Sequence, residues 1–462
     1  MDFSRSLIAA VVLATAPSCA KDKPIPPFEP SPITPIEHGM PIGLTIPTSQ
    51  LVTAIYEDDN CPSGWTVLAD ELARGEGNDF VVPLQEGYVL RFADLESMSA
   101  ELLNAITVVG NDFSILSLDI SWVCWVASPE WQDEMTQLVS DLQDAGVVVY
   151  LNLNHNGSFP ADLADPDDLE NAGWANGAFE ESFLDYVQDV IASFEGILPA
   201  GTRVSLGQEP VVALFNGYLH HEGKYPPGGI RAGIAFTQAL ANLQKTFVLA
   251  AGMIADETDW MPTVGMNIRP LTDAIMSEAA RRLKFVYNWA LLDALVRGCI
   301  DENLDGTCDE QVEPPSRFEI GVTFYGTMSS SGDAVTIGES AAAGRIMVIP
   351  AIDVAPSAER FAEALQMVAD EYSGILIAVA ELGFSGANTS EQVGLFTEYL
   401  ARMRSPDEPD DGRIPVSYVF LHTLFQAAEF GPGEWLFHLI DECLAADECV
   451  LTNFGVALLA RL

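Results

Sequence analysis

Short apolar runs alternate along the chain with stretches whose apolar residues recur every three to four positions, the patterns of strands and of amphipathic helices. Pro41–Pro47 is a candidate first strand. Ser117-Leu118-Asp119-Ile120-Ser121-Trp122 reads as a buried strand, and a helical pattern over Trp131–Ala145 follows, with Leu138 and Leu142 on one face. Val147–Asn154 is β-branched and ends at His155. A helix over Phe183–Phe194 leads to an apolar strand that closes at Glu209. The pattern then predicts a strand near Val264–Ile268, a helix near Leu271–Leu283, a strand over Glu319–Phe324 and a helix over Ala358–Tyr372. It closes with a strand at Ile375–Ala380, a helix at Gln392–Met403 and a strand at Val416–Leu421. Strands separated by helices form parallel βαβ units, and about eight of them close into a (β/α)8 TIM barrel, here a single domain over residues 41–462. The alternative is an open doubly wound sheet. No Gly-rich phosphate turn follows the first strand to support it.

Composition narrows the setting. With 462 residues, 48% of them hydrophobic and 19% charged, the chain can bury a large core. Only 21 Lys and Arg oppose 67 Asp and Glu, a formal charge of −46. Such a surface repels nucleic acid and anionic lipid headgroups. Residues 1–19 have the shape of an export signal, with Arg5 ahead of the apolar Leu7–Ala14 and small residues leading to Cys19. That cysteine is a candidate lipidation site, and the Pro-rich residues 20–40 read as a tether. The expected location is the outer membrane or cell surface through that lipid, otherwise the periplasm or the exterior. Beyond Cys19 there remain Cys61, Cys124, Cys299, Cys308, Cys443 and Cys449. An even number in an exported chain suits disulfides. Proximity in sequence suggests Cys299 with Cys308 and Cys443 with Cys449, leaving Cys61 for Cys124.

Two of the predicted strands end in glutamate. Val204-Ser205-Leu206-Gly207-Gln208-Glu209 is stopped by Pro210. Gly374–Ala380 is almost wholly apolar, as a parallel strand buried on both faces is, and closes at Glu381. In a barrel both acids fall at the strand ends where barrel enzymes keep their chemistry. Taken alone, the first reads better as strand-end punctuation, and helix capping explains the second as well as catalysis does.

The ordered set of motifs resembles family 1 glycoside hydrolases, the β-glucosidase family, from roughly Pro41 to Leu462. Gln208-Glu209-Pro210, with Asn216-Gly217-Tyr218 and Tyr225-Pro226-Pro227-Gly228 after it, is similar to the family's acid/base segment, with Gln208 in place of an asparagine. Glu381-Leu382-Gly383 resembles the nucleophile segment. Ser121-Trp122, His155, Gly173-Trp174-Ala175-Asn176, Tyr287-Asn288-Trp289, Gly321-Val322-Thr323-Phe324-Tyr325 and Glu429 fall in family order. The resemblance implies a retaining β-glycosidase that hydrolyses O-glycosidic bonds of a carbohydrate substrate without a catalytic cofactor. Glu381 would be the nucleophile, Glu209 the acid/base and Tyr325 the hydroxyl that orients Glu381. His155, Gln208, Thr323 and Glu429 would hold sugar hydroxyls. Trp122 and Trp174, with Trp289 and Trp435, would stack on sugar faces, although each tryptophan by itself reads better as core. Departures accompany the resemblance: the family's arginine beside the nucleophile falls at Ser117, an asparagine after it at Leu382, and a tryptophan of the last strand at His422. They motivate a second reading, a surface carbohydrate-binding protein on a degenerate barrel.

A separate motif runs from Cys299 to Cys308. Asp301-Glu302-Asn303-Leu304-Asp305-Gly306 resembles the first half of an EF-hand calcium loop. Asp301, Asn303, Asp305, the Thr307 carbonyl and Asp309 would supply oxygens to a structural calcium ion, but position twelve is Val312, without the bidentate glutamate. The alternative is a solvated acidic loop.

Overall fold

Eight parallel strands close on themselves, each hydrogen-bonded to the next and the last to the first. The computed structural model describes residues 40–46, 115–155, 158–220 except 166, 226–421 except 274, 339, 341–343, 356 and 384–388, and the segments 440–443 and 449–451. Within these the barrel strands are β1 (Ile42–Ile46), β2 (Ile115–Asp119), β3 (Val148–Asn152), β4 (Arg203–Gln208), β5 (Met261–Asn267), β6 (Glu319–Phe324), β7 (Leu376–Leu382) and β8 (Val419–Leu421). The expected (β/α)8 barrel is thus the observed fold. Cys19, Cys61, Glu429, Trp435 and the leader and tether lie outside the described residues. Among those described, no helix is long and apolar enough to cross a membrane.

The helices explain most of the differences from expectation. Ser121 does not end a strand: its hydroxyl accepts the Cys124 amide at 3.4 Å and starts α1 (Trp122–Ala127), which runs on to α2 (Pro129–Asp144). The α3 helix (Phe179–Phe194) buries Phe183, Tyr186, Val187, Val190, Ile191 and Phe194 on one stripe. A short α4 (Pro210–Leu214) follows β4 directly. The 25-residue α5 (Gly233–Glu257) was not foreseen. It is apolar around most of its circumference, so the one-sided period that marks a surface helix is missing. Next come α6 (Glu278–Asn288) and α7 (Ala290–Arg297), which Gly298 ends in the left-handed conformation at φ 67°. A Cβ at Gly298 would lie 1.9 Å from the Val312 carbonyl oxygen. The α8 (Ala358–Glu371) and α9 (Thr389–Leu400) helices flank β7.

Trp122 and Trp174 are core residues, each 1% exposed, which corrects their expected place on the sugar-binding rim. Trp122 meets the edges of Phe179 and Phe183 and stacks on Tyr186, and Trp174 packs on Phe179 and Phe247. Trp289 meets Tyr372 edge-on at the N-terminus of α7. Large aromatic surface wedged between helix and barrel contributes packing that a small side chain cannot replace. Trp122→Ala should therefore cost about 3–5 kcal/mol of stability. Urea unfolding followed by circular dichroism would read this as a lower midpoint with little change in slope.

One end of the barrel interior is plugged by an ion pair. Arg203 Nε donates to Glu319 Oε2 at 3.1 Å, and the guanidinium lies 5.5 and 5.6 Å from the ring centres of Tyr150 and Tyr418. Tyr150, Tyr418 and Phe420 contact one another edge-on. The strands therefore run from this sealed layer towards the end where Glu209 and Glu381 emerge.

Candidate active site

Two irregularities in the barrel re-aim its two key acids. Along β4 the register with β5 shifts between Ser205 and Gln208. Glu209 then takes φ 53° and ψ 40°, a left-handed conformation that an L-residue adopts only under constraint. Its amide donates to the Gly265 carbonyl at 2.7 Å, and Pro210 fixes the first turn of α4. On β7 a bulge lies between Val379 and Glu381. Glu381 consequently sits inside the strand, opposite Thr323, and not just beyond its end as expected.

Each carboxyl has its own donors. Glu209 Oε1 accepts from Thr323 Oγ1 at 2.8 Å and from Asn267 Nδ2. Glu381, 3% exposed, accepts from Gln208 Nε2 at 2.6 Å through Oε2 and from the Tyr325 hydroxyl through Oε1. Burial raises the Glu209 carboxyl above its ordinary range, and the Glu381 charge raises it further. Arg269 and the hydrogen bonds from Thr323 and Asn267 oppose that rise. Glu209 is thus inclined to keep its proton, and Glu381 is held between two neutral donors.

Gln208 owes its position to a missing side chain. A Cβ at Gly265 would lie 1.9 Å from Gln208 Oε1, so the longer amide that replaces an asparagine folds into room that glycine leaves on the neighbouring strand. Thr323 reaches Glu209 at the same level of the barrel. Next to Gln208, His155 Nδ1 lies 2.7 Å from Asp119 Oδ2, and Asn152 Nδ2 donates to Asp119 Oδ1 at 2.7 Å. The carboxylate accepts only, so it places the imidazole proton on Nδ1. The structure brings together Glu209, Glu381, Tyr325, Gln208, Thr323 and His155. Glu429 lies outside the described residues.

The sequence reading gave no site role to Asn267, Asp119, Asn152 or Arg269, and noted Tyr287 only within a motif. Asp119, Asn152 and Asn267 each end a barrel strand with a buried polar side chain, the same signal that singled out Glu209 and Glu381. Arg269, 6% exposed, follows Asn267 by two positions. Its Nε donates to the Tyr287 hydroxyl at 3.0 Å. Its charge opposes the rise of the Glu209 carboxyl, while Ser117 stands where the resemblance places an arginine.

The loop between Cys299 and Cys308 does not fit a calcium ion. Asp301 Oδ1 and Oδ2 accept the amides of Asp305 and Gly306 at 3.1 and 2.6 Å. Asn303 Oδ1 and Asp305 Oδ2 face Arg345 at 2.8 and 2.7 Å. Asp309 Oδ2 accepts from Asn303 Nδ2 at 2.8 Å, and the Thr307 amide turns to Asp305 at 2.8 Å. Arg345 supplies the positive charge that a cation would bring. Among the described residues no group of three or more His, Cys, Asp or Glu side chains is arranged to hold a metal. Cys299 and Cys308 are thiols here, and burial together with the neighbouring Cys308 thiol pushes Cys299 up to about 12. Cys443 and Cys449 face one another across an antiparallel ladder.

Two carboxyls, the partly buried Glu209 just after β4 and the buried Glu381 near the end of β7, thus meet at one end of the barrel. No protein-family model and no curated relative matches the chain. Solved structures do match, β-glucosidases and β-glycosidases among them. β-Glucosidase 2 from Trichoderma reesei, in complex with Tris, superposes with a TM-score of 0.67 at 16% identity, covering 91% of this chain and 97% of that one. The family 1 β-glucosidase from Thermotoga maritima gives 0.66 at 15%, covering 93% and 98%. The β-glycosidase from Thermosphaera aggregans gives 0.65 at 15%, covering 92% and 96%. The chain shares the fold of these β-glucosidases and β-glycosidases at 15–16% identity.

Proposed function

We propose that the protein is a retaining β-glycosidase, with Glu381 as nucleophile and Glu209 as acid/base. The observation that carries this reading is the pairing of two carboxyls in one layer of the barrel: Glu209 accepts from Thr323 and Asn267, with desolvation and the Glu381 charge favouring its proton, while Gln208 and Tyr325 each donate to one oxygen of Glu381. In the first step a Glu381 oxygen bonds to the anomeric carbon as the glycosidic C–O bond breaks, and Glu209 gives its proton to the departing oxygen. In the second step water attacks the same carbon, Glu209 takes a water proton, and the ester bond to Glu381 breaks. His155 and Thr323 line the same layer and are the proposed contacts to sugar hydroxyls, while Gln208 holds Glu381.

The test is a panel of aryl glycosides given to the purified protein, with product configuration followed by NMR. Release of the β-anomer first supports the reading. Sugar binding without turnover favours the carbohydrate-binding alternative, which Ser117 motivates.

The seat of Gln208 gives a sharper check. Gly265→Ala adds a methyl where Gln208 Oε1 lies, which drives the amide away from Glu381. Because misplacement of about 1 Å at a reacting group can cost on the order of 10²-fold, kcat should fall by about that factor. The variant should still melt cooperatively.

A further inference from the structure

Glu209 is gripped through one of its two carboxyl oxygens. Oε1 accepts from Thr323 Oγ1 at 2.8 Å and from Asn267 Nδ2, while Oε2 accepts no hydrogen bond among the described residues. The sheet itself places the two donors. Asn267 and Thr323 are register partners on the adjacent parallel strands β5 and β6, so their side chains leave the same face side by side. Both are buried, Asn267 at 3% and Thr323 at 0% exposed. The Glu209 backbone is tied to β5 as well, through its amide and the Gly265 carbonyl. The carboxyl is therefore held both at its root and at Oε1. The same contact orients the Asn267 amide, whose Oδ1 is buried without a hydrogen-bond partner among the described residues. Reversing that amide would strand Nδ2 in its place and set Oδ1 against a carboxylate that only accepts.

We propose that Asn267 and Thr323 are positioning residues that divide the Glu209 carboxyl into a fixed oxygen and a working one: Oε1 is held as a pure acceptor, and Oε2 carries the transferable proton. This rests on the two-glutamate reading. A carboxyl oxygen has two lone-pair directions. With a donor on each, Oε1 has none left for a proton, so the neutral acid bears its hydrogen on Oε2. In the first step the Oε2–H bond breaks and the proton joins the departing glycosidic oxygen, which keeps the electron pair of the broken C–O bond, while a Glu381 oxygen bonds to the anomeric carbon. In the second a water oxygen bonds to that carbon, its proton passes to Oε2, and the electron pair of the ester bond returns to Glu381. Oε1 forms and breaks no covalent bond in either step, so the carboxyl need not rotate between them. Thr323 gives its one hydroxyl proton to Oε1, so a sugar hydroxyl that meets its oxygen must be the donor.

The experiment is infrared difference spectroscopy of the protonated Glu209 carboxyl in the full chain at acid pH, against Glu209→Gln, in wild type, Thr323→Val, Thr323→Ser and Asn267→Leu. A carboxyl C=O that accepts two hydrogen bonds stretches at a lowered frequency. Thr323→Val and Asn267→Leu should each move the Glu209 band up, and Thr323→Ser, which keeps the hydroxyl, should leave it near wild type. A band unmoved in both Thr323→Val and Asn267→Leu overturns the proposal, because Oε1 is then not the accepting oxygen of the acid. A Thr323→Ser band displaced as far as that of Thr323→Val overturns it too. The kinetic arm sorts substrates. With a poor leaving group, Thr323→Val should slow cleavage by about tenfold or more, a part of the 10²–10⁴-fold that general acid catalysis is typically worth. The burst on an activated aryl glycoside should change far less. Equal losses on the two substrates point to a merely structural role and overturn the proposal. If Thr323→Val fails to fold, Asn267→Leu carries both arms. The infrared arm needs no turnover. Shifted bands in a chain that cleaves no glycoside therefore support the anchored oxygen and sink the glycosidase reading alone.

Discussion

Glu381→Gln should lower kcat on aryl glycosides by roughly 10⁴–10⁶-fold, the scale on which loss of a covalent nucleophile shows, and should leave the fold intact. The substitution suits the site for a geometric reason. Two partners of Glu381 among the described residues are donors, Gln208 Nε2 to one oxygen and the Tyr325 hydroxyl to the other. A glutamine there keeps its carbonyl for Gln208 and turns its amide to Tyr325, whose hydroxyl can accept as well as donate. Both of these hydrogen bonds are kept, so loss of activity would not be loss of structure. Glu381→Gly should be equally inactive in water, yet azide should revive it by entering the space the carboxylate leaves. Azide would attack from the nucleophile's face, so a β-glycoside should yield the α-glycosyl azide. Full activity in Glu381→Gln removes Glu381 from the chemistry.

How far the site could be read beforehand depended on where each residue sits in the chain. Glu209 and Glu381 were visible because each interrupts an apolar run, and burying a carboxyl at a strand end needs a reason. Arg269 was not, because it stands in a loop-like Ile268-Arg269-Pro270 stretch in which an arginine reads as solvated. Only the fold shows it 6% exposed and clamped by Tyr287 and Asn288. Gln208 was expected to reach a sugar hydroxyl. The structure turns it to Glu381, a geometry set by the absent Cβ of Gly265, which no local pattern around Gln208 can report. Trp122 and Trp174 show the opposite failure: a motif in family order suggested sugar stacking, and their burial against α3 and α5 puts them in the core.

The barrel itself was legible through the alternation of β-branched runs and helical stripes, and its misplaced boundaries share a cause. Helix starts are decided by single capping side chains, as Ser121 shows, and strand ends by bulges such as the one before Glu381. Hydrophobic period carries neither. The paired strands Thr327–Ser329 and Ala351–Asp353 after β6 escaped notice for a related reason. Ala351, Ile352 and Asp353 are all exposed, so no apolar face marks that strand in the sequence.

Glu209→Ala should separate substrates by leaving group. If Glu209 protonates the departing oxygen, removing it forces a poor leaving group to depart as an alkoxide, and cleavage should slow by the 10²–10⁴-fold that general acid catalysis is typically worth. An activated aryl oxide needs little protonation, so its first step should change far less. The second step also loses its base, and glycosyl-enzyme should accumulate in a burst of aryl alcohol followed by slow turnover. Azide should relieve that step and give a β-glycosyl azide, the opposite anomer to the one expected from Glu381→Gly, because attack now comes from the face that Glu209 occupied. The wild-type pH profile belongs to the same argument. Burial and the Glu381 charge hold the Glu209 proton above the ordinary carboxyl range, and kcat/KM needs that proton in the free enzyme. The alkaline limb should therefore lie above the usual range for a glutamate, and it should vanish for activated substrates in Glu209→Ala. Equal losses on activated and unactivated substrates, with no azide product, would make Glu209 a structural acid at a strained strand end, and the carbohydrate-binding reading would take its place.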